Sequence, residues 1–356
     1  MASPPSILSV QPAGDPTGNK GAKHLVDTSR GGLREIPPAY ILTVPSCRRP
    51  ATPPSIPVID LHGLHSPATR DLTVSSIAAA CAEWGFFRVV NHGVRTSLME
   101  DMLRSAEDFF NLPLEEKLTY SSDDVMHPVR YGTSLNTSAS HTSHWRDYLR
   151  HFGHVGFDSW PQNPPNYRHV AREYLEEVRK VALGLAGAIS EGLGLGRDHV
   201  EGALREGCQI MASNYYPPCP QPNLTMGLCP HSDHGGFTIL TQNDVDGLWI
   251  RHVDEWVPVD HVTSTFVVNI GDYLEILSNG RYKSVEHMVL VNEHKTRISV
   301  AVGHGPHMEA ILKPAENILS VDGCGPKYRP IVYKDYMKSQ QSIVRRGKSA
   351  LEQIMI

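Results

Sequence analysis

Two hydrophobic periods divide the chain. In the first half the period is helical: Leu98, Met102, Ala106 and Phe109 or Phe110 share one face of a helix that must stop before Pro113. Tyr174, Val178, Val181, Leu185 and Ile189 recur at intervals of three and four, predicting the longest helix, about 25 residues, ended by Gly192 and Gly194. Its charged residues (Glu173, Glu176, Glu177, Arg179, Lys180) then form a solvated face. An Ala-rich stretch from Val74 to Trp84 predicts a shorter helix closed by Gly85. The apolar runs 56–61 and 86–90 suit strands. Beyond residue 205 the texture changes to short β-branched and aromatic runs separated by Gly, Asn and Asp: 210–216, 237–241, 248–251, 256–259, 266–270, 284–289 and 296–302. Such a series predicts a jelly roll or barrel, with the helix-rich first half packed against it, an α+β fold.

Charge and composition narrow the function. With 33 basic against 38 acidic side chains the net charge is −5, so no basic footprint for nucleic acid is expected. Pro, Gly and charges interrupt every apolar run in residues 1–20, and nothing approaches the roughly 18 apolar residues of a membrane span. Neither a signal peptide nor a membrane contact is expected. The six cysteines form no CxxC pair, which reads as reduced thiols in a cytoplasmic protein and argues against zinc-finger chemistry. The unusual number is 19 histidines.

One pair of them sits in a chemically useful spacing. His231 and Asp233 are two residues apart, so on an extended segment both point to one face and reach one metal ion. His287, on a later strand, supplies a third ligand. Two imidazoles and a carboxylate are the facial triad of non-haem Fe(II), with positions left open for substrate and oxygen. Arg297 and Ser299 again share a face, alternating with apolar Ile298, Val300 and Val302. An arginine aimed into an apolar barrel is costly unless a carboxylate meets its fork, which points to a bound dicarboxylic acid.

From about Ile56 onward the chain resembles the plant 2-oxoglutarate- and Fe(II)-dependent dioxygenases, whose core is a double-stranded β-helix. The resemblance is carried by IPVIDL (56–61), GFFRVVNHGV (85–94), FFNLPLEEK (109–117), NYYPPCP (214–220), the HSD pair, NIGDYLEILSNGRYKSVEH (269–287) and RIS (297–299). It implies that His231, Asp233 and His287 ligate iron, that Arg297, Ser299 and Tyr216 hold the distal carboxylate of 2-oxoglutarate, and that Asn214 lies near its keto-acid end. Tyr148, Arg150, Ala212, Gly303 and Gly305 are implied to border the substrate. The implied layout is a tail and Pro-rich arm over 1–54, the N-terminal dioxygenase region over 55–204, the jelly-roll core over 205–310 and a helical tail over 311–356. The implied chemistry couples O2-dependent decarboxylation of 2-oxoglutarate, giving succinate and CO2, to oxidation of a C–H bond, with ascorbate supportive. The expected substrate is a small, mostly hydrophobic plant metabolite or hormone: an indoleamine such as melatonin, a flavonoid or a gibberellin. The enzyme is expected to be a monomer. The HSDHGG block and residues 136–149 are similar to a branch that includes melatonin hydroxylases. Two alternatives share the motifs, an ascorbate-using oxidase of the ethylene-forming type and a catalytically idle ligand sensor.

Some positions depart from the pattern. His234 stands where proline is frequent and reads as a solvent-facing loop residue. Gly303-His304-Gly305 replaces bulkier residues, and three readings stay open: a wider pocket, a polar contact from His304, or a strand end loosened by glycine. A second cluster, His141, His144, Asp147, His151 and His154, fits one helical face, but Trp145 to Leu149 resembles a strand of the family, which disperses it.

Overall fold

The structure is a computed structural model and describes residues 21–29, 32–47, 49, 54–133, 143–153, 158–342 and 348–356. The N-terminal region runs α1 (Ala22–Thr28), β1 (Val58–Asp60), α2 (Arg70–Glu83), β2 (Phe86–Val90), α3 (Thr96–Phe110), α4 (Leu114–Leu118), β3 (Val129–Gly132), β4 (Asp147–Phe152), α5 (Tyr167–Gly192) and α6 (Asp198–Arg205). Next come β5 (Cys208–Tyr216), β6 (Leu228–His231), β7 (Phe237–Gln242), β8 (Leu248–His252), β9 (Glu255–Pro258), β10 (Phe266–Ile270), α7 (Asp272–Leu277), β11 (His287–Val289) and β12 (Arg297–Gly305). The chain closes with β13 (Ile311–Leu312), α8 (Glu316–Asp322), β14 (Ile331–Val332), α9 (Tyr333–Ser342) and α10 (Ser349–Glu352). No helix among the described residues is long and apolar enough to cross a membrane.

The strands form a large sheet, in the order β1-β2-β10-β7-β12-β5-β4-β3, and a smaller one, β6-β11-β8-β9. Strand alternation then separates two environments. On β12, Ile298, Val300 and Val302 are buried in the core that includes residues of α2, α3 and α5. Arg297, Ser299, Ala301 and Gly303 point the other way and line a cavity together with residues of the smaller sheet. One face of β12 thus serves the helix layer and the other serves the cavity.

The α+β jelly-roll expectation holds, with three differences. The N-terminal region does more than pack around the core: β1 and β2 extend one end of the large sheet, and β4 and β3 the other. The strand expected over 284–289 pairs only over His287–Val289, because the Ser284 amide and hydroxyl are taken by Glu275 and Asp272 at 2.7 and 2.6 Å. The short helix α7 was not foreseen, since its buried apolar run is too brief to show a period.

The turn from α2 into β2 depends on Gly85, which has φ +62° and whose added Cβ would meet the Lys283 carbonyl oxygen at 2.3 Å. At Gly194, φ is +74° but no atom lies within 4 Å of an added Cβ. Urea unfolding is therefore expected to show Gly194→Ala costing about 1 kcal/mol and Gly85→Ala clearly more, above about 2 kcal/mol. Equal costs would mean that the close approach at Gly85 carries no weight.

Candidate active site

The cavity lies between the two sheets and measures about 270 Å³. Its metal-ligand set comes from the smaller sheet and the loop that follows β6. His231 ends β6, Asp233 lies just beyond, and His287 opens β11 directly opposite His231 in the antiparallel register. Their ligand atoms lie within 4.8 Å of one another, and among the described residues this is the one group of three or more such side chains.

Each side chain is oriented by a second contact. Asp233 Oδ2 accepts hydrogen bonds from Thr238 Oγ1 at 2.6 Å and Asn269 Nδ2 at 2.9 Å. Oδ1 is left 3.8 Å from the Nε2 atoms of both His231 and His287. The Nδ1 atoms of those rings face the carbonyls of Cys229 (2.9 Å) and Val285 (3.2 Å), the arrangement in which Nδ1–H donates and the Nε2 lone pair turns to the centre. Burial, with His287 beside it, pushes the His231 imidazole down to about 3, so it is neutral at pH 7. Burial raises the Asp233 carboxyl, but His287, His231, Thr238 and Asn269 together outweigh it, and the group stays below the ordinary carboxylate range. Two imidazoles with their Nε2 atoms turned to one centre and one carboxylate oxygen, with open space beside them, fit Fe(II).

The loop carrying these ligands is fastened from behind. Asp272, fully buried, accepts from Ser232 (3.1 Å), Ser284 (2.6 Å) and Tyr336 (2.7 Å), tying the ligand loop, the approach to β11 and α9 to one carboxylate. Gly271 permits this, since an added Cβ would meet the Gly235 carbonyl oxygen at 2.3 Å.

On the large sheet, Arg297 is buried and pairs in register with Tyr216, as Ser299 does with Asn214. Its Nη2 donates to Gln242 Oε1 (2.7 Å) and its Nη1 to Ser299 Oγ (3.3 Å), with the Tyr216 ring 5.1 Å from the guanidinium carbon. Nε has no partner among the described residues. A buried cation held by neutral groups, with a donor to spare, fits the far carboxylate of 2-oxoglutarate. Asn214 Oδ1 is instead engaged by Arg146 at 3.1 Å.

Of the expected substrate-side residues, Tyr148, Arg150, Ala212 and Gly303 line the cavity. Gly305 does not: it lies under Tyr333, whose hydroxyl an added Cβ would meet at 2.2 Å. β12 is regular through Gly305, so the loosened strand end is not found. His304 faces away from the cavity, 3.3 Å from Gln209 Nε2 and stacked at a tilt on Phe237, so it adds no polar contact there. At Gly303 the nearest atoms to an added Cβ are 3.8 Å away, which leaves the pocket-widening reading for that position alone. His234 is also corrected. It turns inward, Nδ1 2.8 Å from the Tyr333 hydroxyl, and burial pushes it down to about 4.

The second histidine cluster disperses. Asp147 and His151 lie on β4. Asp147 accepts from the Ala22 amide (2.9 Å) and the Tyr131 hydroxyl (3.2 Å), while His151 Nε2 meets the Tyr167 hydroxyl (2.9 Å). His141 and His154 fall outside the described residues. Sequence reasoning missed Thr238, Asn269, Gln242, Asp272 and Arg146. Only Asn269 and Asp272 carried a signal, as polar residues inside the recognised 269–287 block, because the partners of a ligand are set by tertiary approach.

Comparison with known proteins agrees with this geometry. Residues 207–306 match the family model of the 2OG-Fe(II) oxygenase superfamily, and 56–171 match that of the non-haem dioxygenase in morphine synthesis N-terminal region. Protein DMR6-LIKE OXYGENASE 2 of Arabidopsis thaliana is 39% identical over 288 residues, 80% of this chain and 82% of the relative. Oxoglutarate-dependent flavonoid 7-O-demethylase 1 of Ocimum basilicum is 38% identical over 345 residues, 93% of this chain and 90% of the relative. The crystal structure of JOX2 in complex with 2OG, Fe and JA superposes with a TM-score of 0.83 at 36% identity, covering 94% of this chain and 97% of that one. With the donor set, the unpaired arginine and the two facing sheets already in hand, these likenesses make the chain a member of the 2OG-Fe(II) oxygenase superfamily, a plant-type 2-oxoglutarate- and Fe(II)-dependent dioxygenase.

Proposed function

We propose that the enzyme hydroxylates a small, mostly hydrophobic plant metabolite or hormone, consuming one O2 and one 2-oxoglutarate and releasing succinate and CO2. One oxygen atom enters succinate and the other the product. In this reading His231, Asp233 and His287 hold the iron, which when bound supplies the redox chemistry that activates O2. Arg297 and Ser299 fix the distal carboxylate, Tyr216 flanks the guanidinium, and Asn214, oriented by Arg146, stands beside the keto-acid end. Apolar Leu228, Leu240, Leu248 and Val289 exclude water around the reacting C–H bond. The observation that carries the reading is Asp233 itself. One of its oxygens is fixed by Thr238 and Asn269 while the other is offered with two imidazoles to a common point.

The same reading takes the core as 205–310 and the N-terminal dioxygenase region as 55–204, supported by the family matches at 207–306 and 56–171. It takes the protein as a cytoplasmic monomer acting on free small molecules rather than nucleic acid or membranes. A net charge of −5 and six cysteines, none of them in a disulfide, support it. Indoleamines, flavonoids and gibberellins are the compounds to try first.

Iron-loaded protein given labelled 2-oxoglutarate and these compounds should release labelled succinate and add about 16 mass units, one oxygen, to a substrate. Iron-replete protein that never turns over 2-oxoglutarate would contradict the reading. Asp233→Ala should lose bound iron, and Asn269→Ala, which leaves Oδ2 with Thr238 alone of its two donors, should weaken iron binding about 10- to 100-fold by anaerobic dialysis. Arg297→Gln should raise the 2-oxoglutarate dissociation constant at least about 10-fold with iron content unchanged.

A further inference from the structure

Two more arginines in the cavity wall have no role in the reaction as described. Arg130 on β3 and Arg150 on β4 stand directly opposite each other in the antiparallel register, both on the cavity face and both buried, at 4% and 7% exposure. Like charges directly opposite on neighbouring strands repel, and buried cations are ordinarily paired. Here backbone carbonyls accept instead: Ser122 O from Arg130 Nε at 3.0 Å and His127 O from Arg150 Nη2 at 2.6 Å. Arg150 Nε and Nη1 have no partner among the described residues. Burial and the neighbouring Arg130 push the Arg150 guanidinium down to about 10, while the exposed Asp124 and Tyr148 offset this only in part.

The pair is too far away to share the carboxylate held by Arg297. Arg150 is in register with Ala212, and Ala212 with Ala301, four residues along β12 from Arg297. At about 3.3 Å per residue and about 4.8 Å between strands, Arg150 is offset by about 13 Å along the sheet and about 10 Å across it. Asp233 of the triad is held by Thr238 on β7, in register with Gly303, so the residues that separate the arginine pair from the triad are the small or apolar Ala212, Ile210, Ala301 and Gly303.

Resting on the oxygenase reading above, we propose that Arg130 and Arg150 form a second anion site that receives the substrate's own carboxylate, so that the substrate is a hydrophobic organic acid. The apolar body then spans from this pair toward the triad, and the acid group fixes which carbon faces the iron. Of the compound classes considered above, this favours the acidic members, such as gibberellins, over neutral amines and flavanones.

The test is calorimetric titration of the full-length enzyme, loaded anaerobically with Fe(II) and 2-oxoglutarate, with matched acids and methyl esters. The probes are salicylic, indole-3-acetic and gibberellic acids. At least one acid should bind about 10-fold more tightly than its ester, about 1.4 kcal/mol. Arg150→Gln should cut that preference below about twofold while Arg150→Lys keeps most of it, since the charge rather than the packing supplies it. Without ligand, Arg150→Gln should melt no lower than wild type, because a buried repulsion is relieved, and a lower melting point would mark the arginine as structural. Its affinity for 2-oxoglutarate should stay within about twofold of wild type, unlike that of Arg297→Gln. Wild-type enzyme that fails to bind 2-oxoglutarate sinks the oxygenase reading and this inference with it. Intact 2-oxoglutarate binding with no preference for any acid, or a preference that survives Arg150→Gln, overturns this inference alone.

Discussion

Positive charge buried without a protein counter-ion is the constraint around which the molecule is built. Four arginines (130, 146, 150 and 297) line the cavity, and among the described lining residues the only carboxylate is Asp233. Asp233 in turn is turned toward two histidines rather than toward any arginine. A protein interior tolerates such an imbalance only where ligands complete it. In the proposed reading the 2-oxoglutarate dianion answers Arg297, and a divalent iron answers Asp233 with its two imidazoles. Each arginine is held meanwhile by neutral oxygens such as Gln242 Oε1, Asn214 Oδ1 or the His127 carbonyl, which orient the fork without cancelling its charge.

The fold supplies what such a cavity needs, two facing sheets that turn the arginines and the triad inward among apolar residues such as Leu228, Leu240 and Leu248. The helix layer buries the outward face, with Val300, Val302, Leu185 and Ile189 fully covered. The triad is carried by the smaller sheet and the loop that follows β6, and the proposed cosubstrate clamp by the larger sheet, so sheet packing and that fastened loop together set the distance between the triad and Arg297. Asp272 adds rigidity by drawing the ligand loop, Ser284 and Tyr336 onto one buried carboxylate. Through Tyr336 helix α9 becomes part of the site's support, and Gln340 of that helix reaches the Ser232 carbonyl at 2.6 Å.

What the sequence disclosed follows from range. Period-two alternation put Arg297 and Ser299 on one face of β12, because side-chain direction on a strand is a local property, while Asn214 and Tyr216 came from the family resemblance. The long helix and most strands were legible for the same reason. The support of those residues was not legible: Thr238 and Asn269 reach Asp233 from separate strands, and Arg130 meets Arg150 only once β3 and β4 pair. His234, read as a solvent-facing loop residue, and His304, left among three open readings, are both decided by contacts distant in sequence. One is drawn inward by Tyr333, a hundred residues away in sequence, and the other by the continuing register of β12. The residue count of 19 histidines said nothing; the spacing of two of them to one aspartate said nearly everything about the metal.

The most direct test of the central claim is a crystal structure of the enzyme grown anaerobically with Fe(II) and 2-oxoglutarate, with anomalous differences measured at the iron edge. The account predicts one iron peak bounded by His231 Nε2, Asp233 Oδ1 and His287 Nε2, with the far carboxylate of 2-oxoglutarate on Arg297 and Ser299. An iron peak elsewhere, or a cosubstrate carboxylate seated on Arg130 and Arg150 instead of Arg297, would contradict it.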